Sequence, residues 1–384
     1  MTSLYVREIT REEHLAHLRR FPDASHLQIP EWGGVKPDWL PESIGWFEGE
    51  DGDQGAGDPM VAAALVLYRP LPGTRRYLAY LPDGPAIDWR TPRLERWLDP
   101  LVAHLERVGA FSVRMGPPLV VRHWDAATVA AGIADPGVRH LRELPVAGVD
   151  GHALDTADRL RRLGWRPCDD EDDGSGFGLG QPRYGCHIPL ADRSEADLRE
   201  ALAPHWQQAL RTSELADIRV SWVSDADLPE FHRLYTATAT HDGFKARPLN
   251  YFRRMWQALN AEDEDRLRLY VAEYEGEVLS GALMINVGSR AWHSYPASGA
   301  RGRQLRPSSA LLWRMLCDAR ASGAETYDLR SITPALTDDR LLGRLRFKTG
   351  AGGRPVEYLG EWELPVGSQG RLLQRALRVY LGRR

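Results

Sequence analysis

Three lysines, Lys36, Lys245 and Lys348, stand among 46 arginines in a chain of 384 residues. Arginine is a planar fork that keeps its charge at any working pH. Lysine is a compact point charge on a flexible stem, so the two do not replace each other at a reacting centre. A chain that otherwise meets its need for cations with arginine has kept an ammonium in three dense patterns: GGVK (33–36), DGFKARP (242–248) and RFKTG (346–350). The chemistry open to such groups is electrostatic. Lysine and arginine together make strong charge-assisted bonds to phosphate, and a fixed cation stabilises the oxyanion that builds during acyl transfer.

Other chemistries find little support. Cys168, Cys186 and Cys317 have no metal-ligand spacing and cannot form a disulfide framework. No stretch approaches the roughly 20 apolar residues that cross a bilayer, and the opening MTSLYVREITREEHL lacks the apolar core of a signal peptide. The expected location is the cytoplasm. The net charge of −4 divides unevenly, residues 301–384 carrying +8 and residues 1–300 carrying −12. A basic end on an acidic chain suits an anionic partner there: nucleic acid, phosphate or a membrane surface.

The elements that must position these residues occur in a similar order twice. In the first half MVAAALVLYRP and RRYLAYLP read as strands, RLERWLDPLVAHLERVG as an amphipathic helix with Leu94, Leu98, Leu101 and Leu105 on one face, and FSVRMG as a strand. The acidic, glycine-rich stretch 168–182 reads as a linker, and 48–59 as a hairpin tip. After the linker, LRLYVAEYE, EVLSGALMINV and RAWHSYPAS read as antiparallel strands. SSALLWRMLCDARASG reads as a helix stopped by Gly323, and TYDLRSI and VEYLGEWEL as strands. The last segment, RLLQRALRVYLGRR, reads as an amphipathic helix whose apolar stripe packs on the first domain or rests on a membrane. The expected fold is α/β, two tandem domains resembling N-acetyltransferases (GNAT), at 1–181 and 182–354, with 355–384 packing back on the first.

Taken in order, SHLQIPEWGGVK (25–36), YLPDGPAIDW (80–89), HDGFKARPLNYF (241–252), AWHSYPAS (291–298), YDLRSI (327–332) and RFKTGAGG (346–353), followed by VEYLGEWEL, resemble the FemABX aminoacyltransferases across nearly the whole chain. The long helical arm that some members insert in the second domain is absent. The resemblance implies transfer of an amino acid, with glycine one candidate, from aminoacyl-tRNA to a primary amine in the stem peptide of a peptidoglycan precursor. It places Lys36 and Arg247 on the precursor's phosphates, Tyr251 in the same groove and Tyr295 in the acceptor site. Phe347 and Lys348 then stand at the reacting centre. Lys245 extends the phosphate clamp. Aminoacyl-tRNA is a co-substrate, and the ester supplies the driving force, so no cofactor or protein nucleophile is required.

Arg301, Arg303 and Arg306 occupy the strand-to-helix turn where a GNAT protein binds the pyrophosphate of acetyl-CoA. Side-chain cations with only Gly302 among them suit a polyanion such as a tRNA end better than a nest of backbone amides. His241 and His293 show no carboxylate partner at a defined spacing and are read as structural.

Three departures from the family pattern bear on the substrate. Gly116 stands where the family often has an aspartate near the acceptor amine, which leaves proton removal to substrate or water. Only Arg211 is basic in 204–216, a segment usually rich in lysine and arginine, and His241 replaces a common arginine. These favour the same tRNA-dependent chemistry on a small-molecule amine, in peptide-antibiotic biosynthesis or resistance, as the alternative. Remoter alternatives are an acyl-CoA N-acetyltransferase and a catalytically silent module that binds phosphorylated ligands.

Overall fold

The computed structural model describes residues 3–49, 57–168, 180–337, 339–368 and 370–374. Most of the acidic hairpin tip, the linker stretch and the closing helix after Gln374 lie outside the described residues. The chain divides into two compact units. The first comprises Met1–Arg122, Val149–Arg183 and Glu357–Arg384, the second His123–Gly148 and Tyr184–Val356.

The first unit is built on a seven-stranded sheet in the order Ser3–Glu8, Leu40–Gly49, Met60–Pro70, Tyr77–Leu81, Ala110–Met115, Trp362–Pro365, Arg166–Pro167. Its first three steps are antiparallel, the step from Tyr77–Leu81 to Ala110–Met115 is parallel, and Trp362–Pro365 returns antiparallel. A parallel step needs a crossover, and the helix Glu95–Val108 supplies it. Leu94, Leu98, Leu101 and Leu105 recur at helical spacing and are at most 1% exposed, so this face seals the sheet. Truncating any one of them to alanine is expected to cost about 2–5 kcal/mol. Gly109 ends the helix at φ +103, a conformation that a side chain would strain.

The second unit repeats this connectivity. Arg219–Val223, Leu267–Tyr274, Glu277–Val287 and Arg290–Ser298 are linked antiparallel, Arg290–Ser298 pairs in parallel with Thr326–Ser331, and Tyr184–Pro189 returns antiparallel. Here the crossover helix is Pro307–Ala321, which buries Leu311, Leu312, Met315 and Leu316 against Tyr270 and Tyr327. The longest described helices of this unit have 15 residues, so it contains no long helical arm among the described residues. No helix among them is long and apolar enough to cross a membrane.

Two segments differ from the expected elements. VEYLGEWEL is two strands, Arg354–Tyr358 and Trp362–Pro365, in different sheets, because Gly360 takes φ +82 between them. RFKTG, to which no element was assigned, closes the helix Asp339–Gly350. Its apolar residues Leu342 and Leu345 join the second core. Of the closing segment, Leu373 packs beside Leu71, Leu78 and Phe111 of the first unit.

Candidate functional site

In the second unit, Lys348 lies in the last turn of the helix Asp339–Gly350, where the carbonyl end of the helix dipole favours a cation. The helix end is anchored from both sides. Trp206 donates its indole N–H to the Phe347 carbonyl at 2.9 Å, and its ring lies 4.8 Å from that of Phe347. A Cβ on Gly353 would come within 2.5 Å of both the Cys186 sulfur and the Lys348 carbonyl oxygen, so only glycine lets the chain turn so tightly here. The Lys348 ammonium donates to the main-chain oxygen of Ser331 at 2.6 Å. Burial lowers its pKa to about 8, partly offset by the negative charge of Asp328. An ammonium has three N–H donors; one is spent on Ser331, and two remain for an incoming oxygen.

The same unit holds an aromatic cluster with two hydroxyls. Tyr251, on the helix Leu249–Leu259, and Tyr295, on the strand Arg290–Ser298, meet hydroxyl to hydroxyl at 2.8 Å. Phe252 stands edge-on to the Tyr295 ring at 5.2 Å and Tyr235 at 6.1 Å. Burial raises both phenol pKa values, keeping them neutral, so each serves as donor or acceptor. The Arg247 guanidinium lies 5.4 Å from the Tyr251 ring centroid. Arg247 is otherwise exposed, and His232 bonds to its carbonyl oxygen at 2.9 Å, holding the loop. Among the sequence-derived candidates, Arg247, Tyr251 and Tyr295 are thus brought together, and Phe347 and Lys348 share a helix end.

The geometry of this region depends on two β-bulges. Leu283 pairs with Ser294 and Gly281 with Ala297, leaving one extra residue around Tyr295, which takes φ +52. On the neighbouring strand Asp328 pairs with His187 and Ser331 with Gly185, again one residue too many, and Arg330 takes φ +64. Bulges of this kind re-aim side chains. The parallel pairing of the two strands ends at Trp292 and Asp328, just before both irregularities. Arg330 was not singled out by sequence; its only signal was its place in YDLRSI, directly before the residue that holds Lys348.

Lys36 belongs to the first unit. It follows the four-residue helix Trp32–Val35, is half-buried, and its ammonium lies 5.6 Å from the Trp32 ring centroid. The segment before it is locked to the 80–89 motif: Gln28 donates to the Pro82 carbonyl at 2.7 Å and Ser25 to the Asp83 carboxylate at 2.9 Å. A Cβ on Gly84 would lie 2.4–2.6 Å from the Gln28 amide, so a larger residue there would have to displace that amide.

The neighbourhood of Gly116 holds a carboxylate from a distant part of the chain, Glu361. A Cβ on Gly116 would stand 3.6 Å from the Glu361 Cγ. Glu361 is 2% exposed and accepts from the Tyr80 hydroxyl at 2.5 Å and the Gln181 N–H at 3.0 Å, with the Arg114 guanidinium at 3.8 Å. Burial, then the Glu361 charge, raises the Tyr80 pKa well above its usual value. A carboxylate far away in sequence fills the space beside the missing side chain.

The remaining candidates stand apart from the tyrosine pair. Lys245 is exposed in the loop of Arg247, and no described contact ties it to the pair. Arg301, Arg303 and Arg306 are exposed in the turn before Pro307–Ala321; Arg301 pairs with Glu277 and Arg303 donates to the Gly299 carbonyl at 3.3 Å. His241 does have a carboxylate partner, its neighbour Asp242 at 2.9 Å, in an exposed pair. His293 is buried with Nδ1 3.2 Å from the Tyr327 hydroxyl, and burial, with the Lys348 charge second, lowers its pKa to about 3. Among the described residues no cluster of side chains could hold a metal ion.

Comparison with known proteins bears on the family and the fold. The chain is 28% identical over 354 residues to a UDP-N-acetylmuramoylpentapeptide-lysine N(6)-alanyltransferase of Weissella viridescens, covering 91% of this chain and 92% of that protein. It is 22% identical over 425 residues to a lipid II:glycine glycyltransferase of Staphylococcus haemolyticus, covering 92% and 91%. In fold it is similar to the crystal structure of FemX, with a TM-score of 0.76 at 20% identity over 96% of this chain and 98% of that one. It is also similar to a tandem GNAT protein from the clavulanic acid pathway, with a TM-score of 0.50 at 10% identity over 95% and 99%. The repeated strand connectivity is therefore that of two tandem GNAT-like domains. The FemAB family model matches residues 9–275 and 260–370, which span both units and every candidate residue above, and the chain belongs to the FemAB family.

Proposed function

We propose that the protein is an aminoacyltransferase that moves an amino acid from the ester of an aminoacyl-tRNA to a primary amine of a peptidoglycan precursor. The observation that carries this reading is Lys348, an ammonium pinned by the Ser331 carbonyl with donors left over, in the same unit as a hydroxyl pair and an arginine. When a neutral amine attacks the ester carbonyl, negative charge builds on its oxygen. A pre-positioned cation stabilises that oxygen without reorganising, an effect of about 3–4 kcal/mol for one donor. The ester C–O bond then breaks, the tRNA hydroxyl leaves, and the amine loses a proton. Arg247, and Lys36 in the first unit, are assigned to phosphates of the acceptor, Tyr251 and Tyr295 to its orientation. The relatives, a UDP-N-acetylmuramoylpentapeptide-lysine alanyltransferase and a lipid II:glycine glycyltransferase, support this acceptor class.

A soluble amine acceptor is the second reading, favoured by the single basic residue, Arg211, in 204–216. The Gly116 replacement of the family's usual aspartate favours it as well. Radiolabel transfer from a pool of charged tRNAs separates the two. The panel holds a UDP-linked muramyl pentapeptide, its lipid-linked form and a small-amine fraction. RNase-sensitive label on a muropeptide is the expected result. Label on a small amine alone selects the second reading, and consumption of acetyl-CoA without tRNA-dependent product rejects both.

A further inference from the structure

The Ser331 carbonyl that holds Lys348 is not where a regular strand would put it. Asp328 pairs with His187 and Ser331 with Gly185, so one strand advances from 328 to 331 while its partner moves only from 187 to 185. In regular pairing Arg330 would stand opposite Gly185. Because successive residues of a strand alternate in direction, loss of the extra residue would bring the Arg330 carbonyl to the place that Ser331 now occupies. Asp328 holds the bulge. Its carboxylate accepts the Arg330 main-chain N–H at 2.6 Å, the turn in which an aspartate side chain binds the backbone two residues on. Asp328 is 4% exposed, and a carboxylate is buried at a cost unless it is bonded, so these bonds account for its place. The His187 Nε2 lies 3.8 Å from its other oxygen, on the facing strand. Leu329, inside the bulge, is buried and reaches the turn after Lys348. A Cβ on Gly353 would stand 3.2 Å from the Leu329 Cδ1 and 2.5 Å from the Lys348 carbonyl oxygen. The bulge therefore meets Lys348 at two points, near its main chain through Leu329 and at its ammonium through Ser331.

We propose that Asp328 is a positioning residue for the transfer reaction: by accepting the Arg330 N–H it keeps the extra residue in the strand and so holds the Ser331 carbonyl against the Lys348 ammonium. The proposal rests on the transfer reading above and adds to it a residue that acts through Lys348. A lysine ammonium on its flexible stem reaches many positions, and a fixed acceptor selects one of them. Selection matters because a cation stabilises an oxyanion best when it is in place before the charge develops. Without Asp328 the charge remains and its place is lost. That loss falls on the chemical step and spares acceptor binding.

Two measurements on the full chain test this. In tRNA-dependent transfer to the muramyl pentapeptide, Asp328→Ala is expected to lower kcat roughly 10- to 100-fold, with the acceptor KM within about twofold of wild type. Asp328→Asn keeps an oxygen that accepts the same N–H and is expected to recover most of the loss. Added to Lys348→Met, Asp328→Ala is expected to change kcat by less than about twofold, because the two residues act as one unit. The second measurement needs no turnover. With 13C-labelled lysine the chain gives side-chain signals from Lys36, Lys245 and Lys348 alone, and Lys348→Met assigns the last. Asp328→Ala is expected to displace the Lys348 signal and leave the other two in place. An equal cost of Asp328→Ala in both backgrounds overturns the proposal, as does a Lys348 signal that Asp328→Ala does not move. If Asp328→Ala fails to fold, Asp328→Ser, whose hydroxyl makes the same turn more weakly, is read in its place. A displaced Lys348 signal in the variant, with no tRNA-dependent transfer by wild type, upholds Asp328 as the residue that positions the ammonium and rejects only the transfer reading.

Discussion

The Lys348 ammonium is tied to the main-chain oxygen of Ser331 at 2.6 Å, linking the end of the Asp339–Gly350 helix to the end of the Thr326–Ser331 strand. The bond fixes the position of the cation while burial holds its pKa near 8, below the usual lysine value of 10.5. Position and charge state of this ammonium are therefore set by the same local environment.

Lys348→Met is expected to lower kcat by about 100- to 1000-fold, the cost of losing one oxyanion donor, while acceptor affinity stays largely intact. Single-turnover transfer beside a direct binding titration separates the two quantities. Unchanged turnover removes Lys348 from the mechanism.

The pH dependence follows from the same residue. Lys348 is cationic below about 8 and loses its proton as pH rises through that value. The attacking amine must be neutral, which favours higher pH, so the two requirements oppose each other. The kcat profile is expected to bend downward above about pH 8. In Lys348→Arg, whose charge persists, that bend should vanish even if the overall rate is lower. A bend that survives in Lys348→Arg assigns it to another group.

Arg247→Ala is expected to act through affinity. Losing charge-assisted bonds to phosphate costs about 1.5–3 kcal/mol, a rise in KM for a phosphate-bearing acceptor of roughly 10- to 150-fold with kcat nearly constant. An acceptor without phosphate whose KM does not change in the variant would argue for the soluble-amine reading.

Gly116→Asp should destabilise the first unit. The new carboxylate would meet Glu361, already buried and bonded to Tyr80. Crowding two like charges in a buried site is expected to cost about 1–3 kcal/mol. Adding Glu361→Gln should recover part of that loss. Urea unfolding of the two variants checks this, and an undiminished midpoint in Gly116→Asp would show that the new carboxylate escapes Glu361.

Acid should destabilise the fold well before its carboxylates titrate. Burial lowers His14 and His293 to about 3 and His187 to about 4, the last despite the raising effect of Asp328. Below pH 6.5 the unfolded chain takes up protons that the folded chain refuses, so stability falls as pH drops from 6.5 toward 4. By pH 5 each of the three contributes a loss of about 2 kcal/mol. Equilibrium unfolding at pH 7 and pH 5 measures it, and a flat profile would mean that these rings take up protons in the native state as readily as in the unfolded chain.

Much of the architecture was written in local pattern. The leucines of Glu95–Val108, the apolar run of Met60–Pro70 and the strand segments of 267–298 place helices and strands because each depends on near neighbours in sequence. The scarcity of lysine pointed to Lys36, Lys245 and Lys348, and motif order to the family. Tertiary structure decided what contacts between distant segments decide. It paired the Tyr251 and Tyr295 hydroxyls and set Glu361 beside Gly116. It also split VEYLGEWEL at Gly360. Arg330 shows the limit most plainly. YDLRSI reads as a regular strand, and nothing in those six letters foretells a bulge, which exists because Asp328 and the facing strand Tyr184–Pro189 hold the backbone there. Residue type determined which chemistry was available, and the register between strands far apart in sequence determined which of those residues face one another.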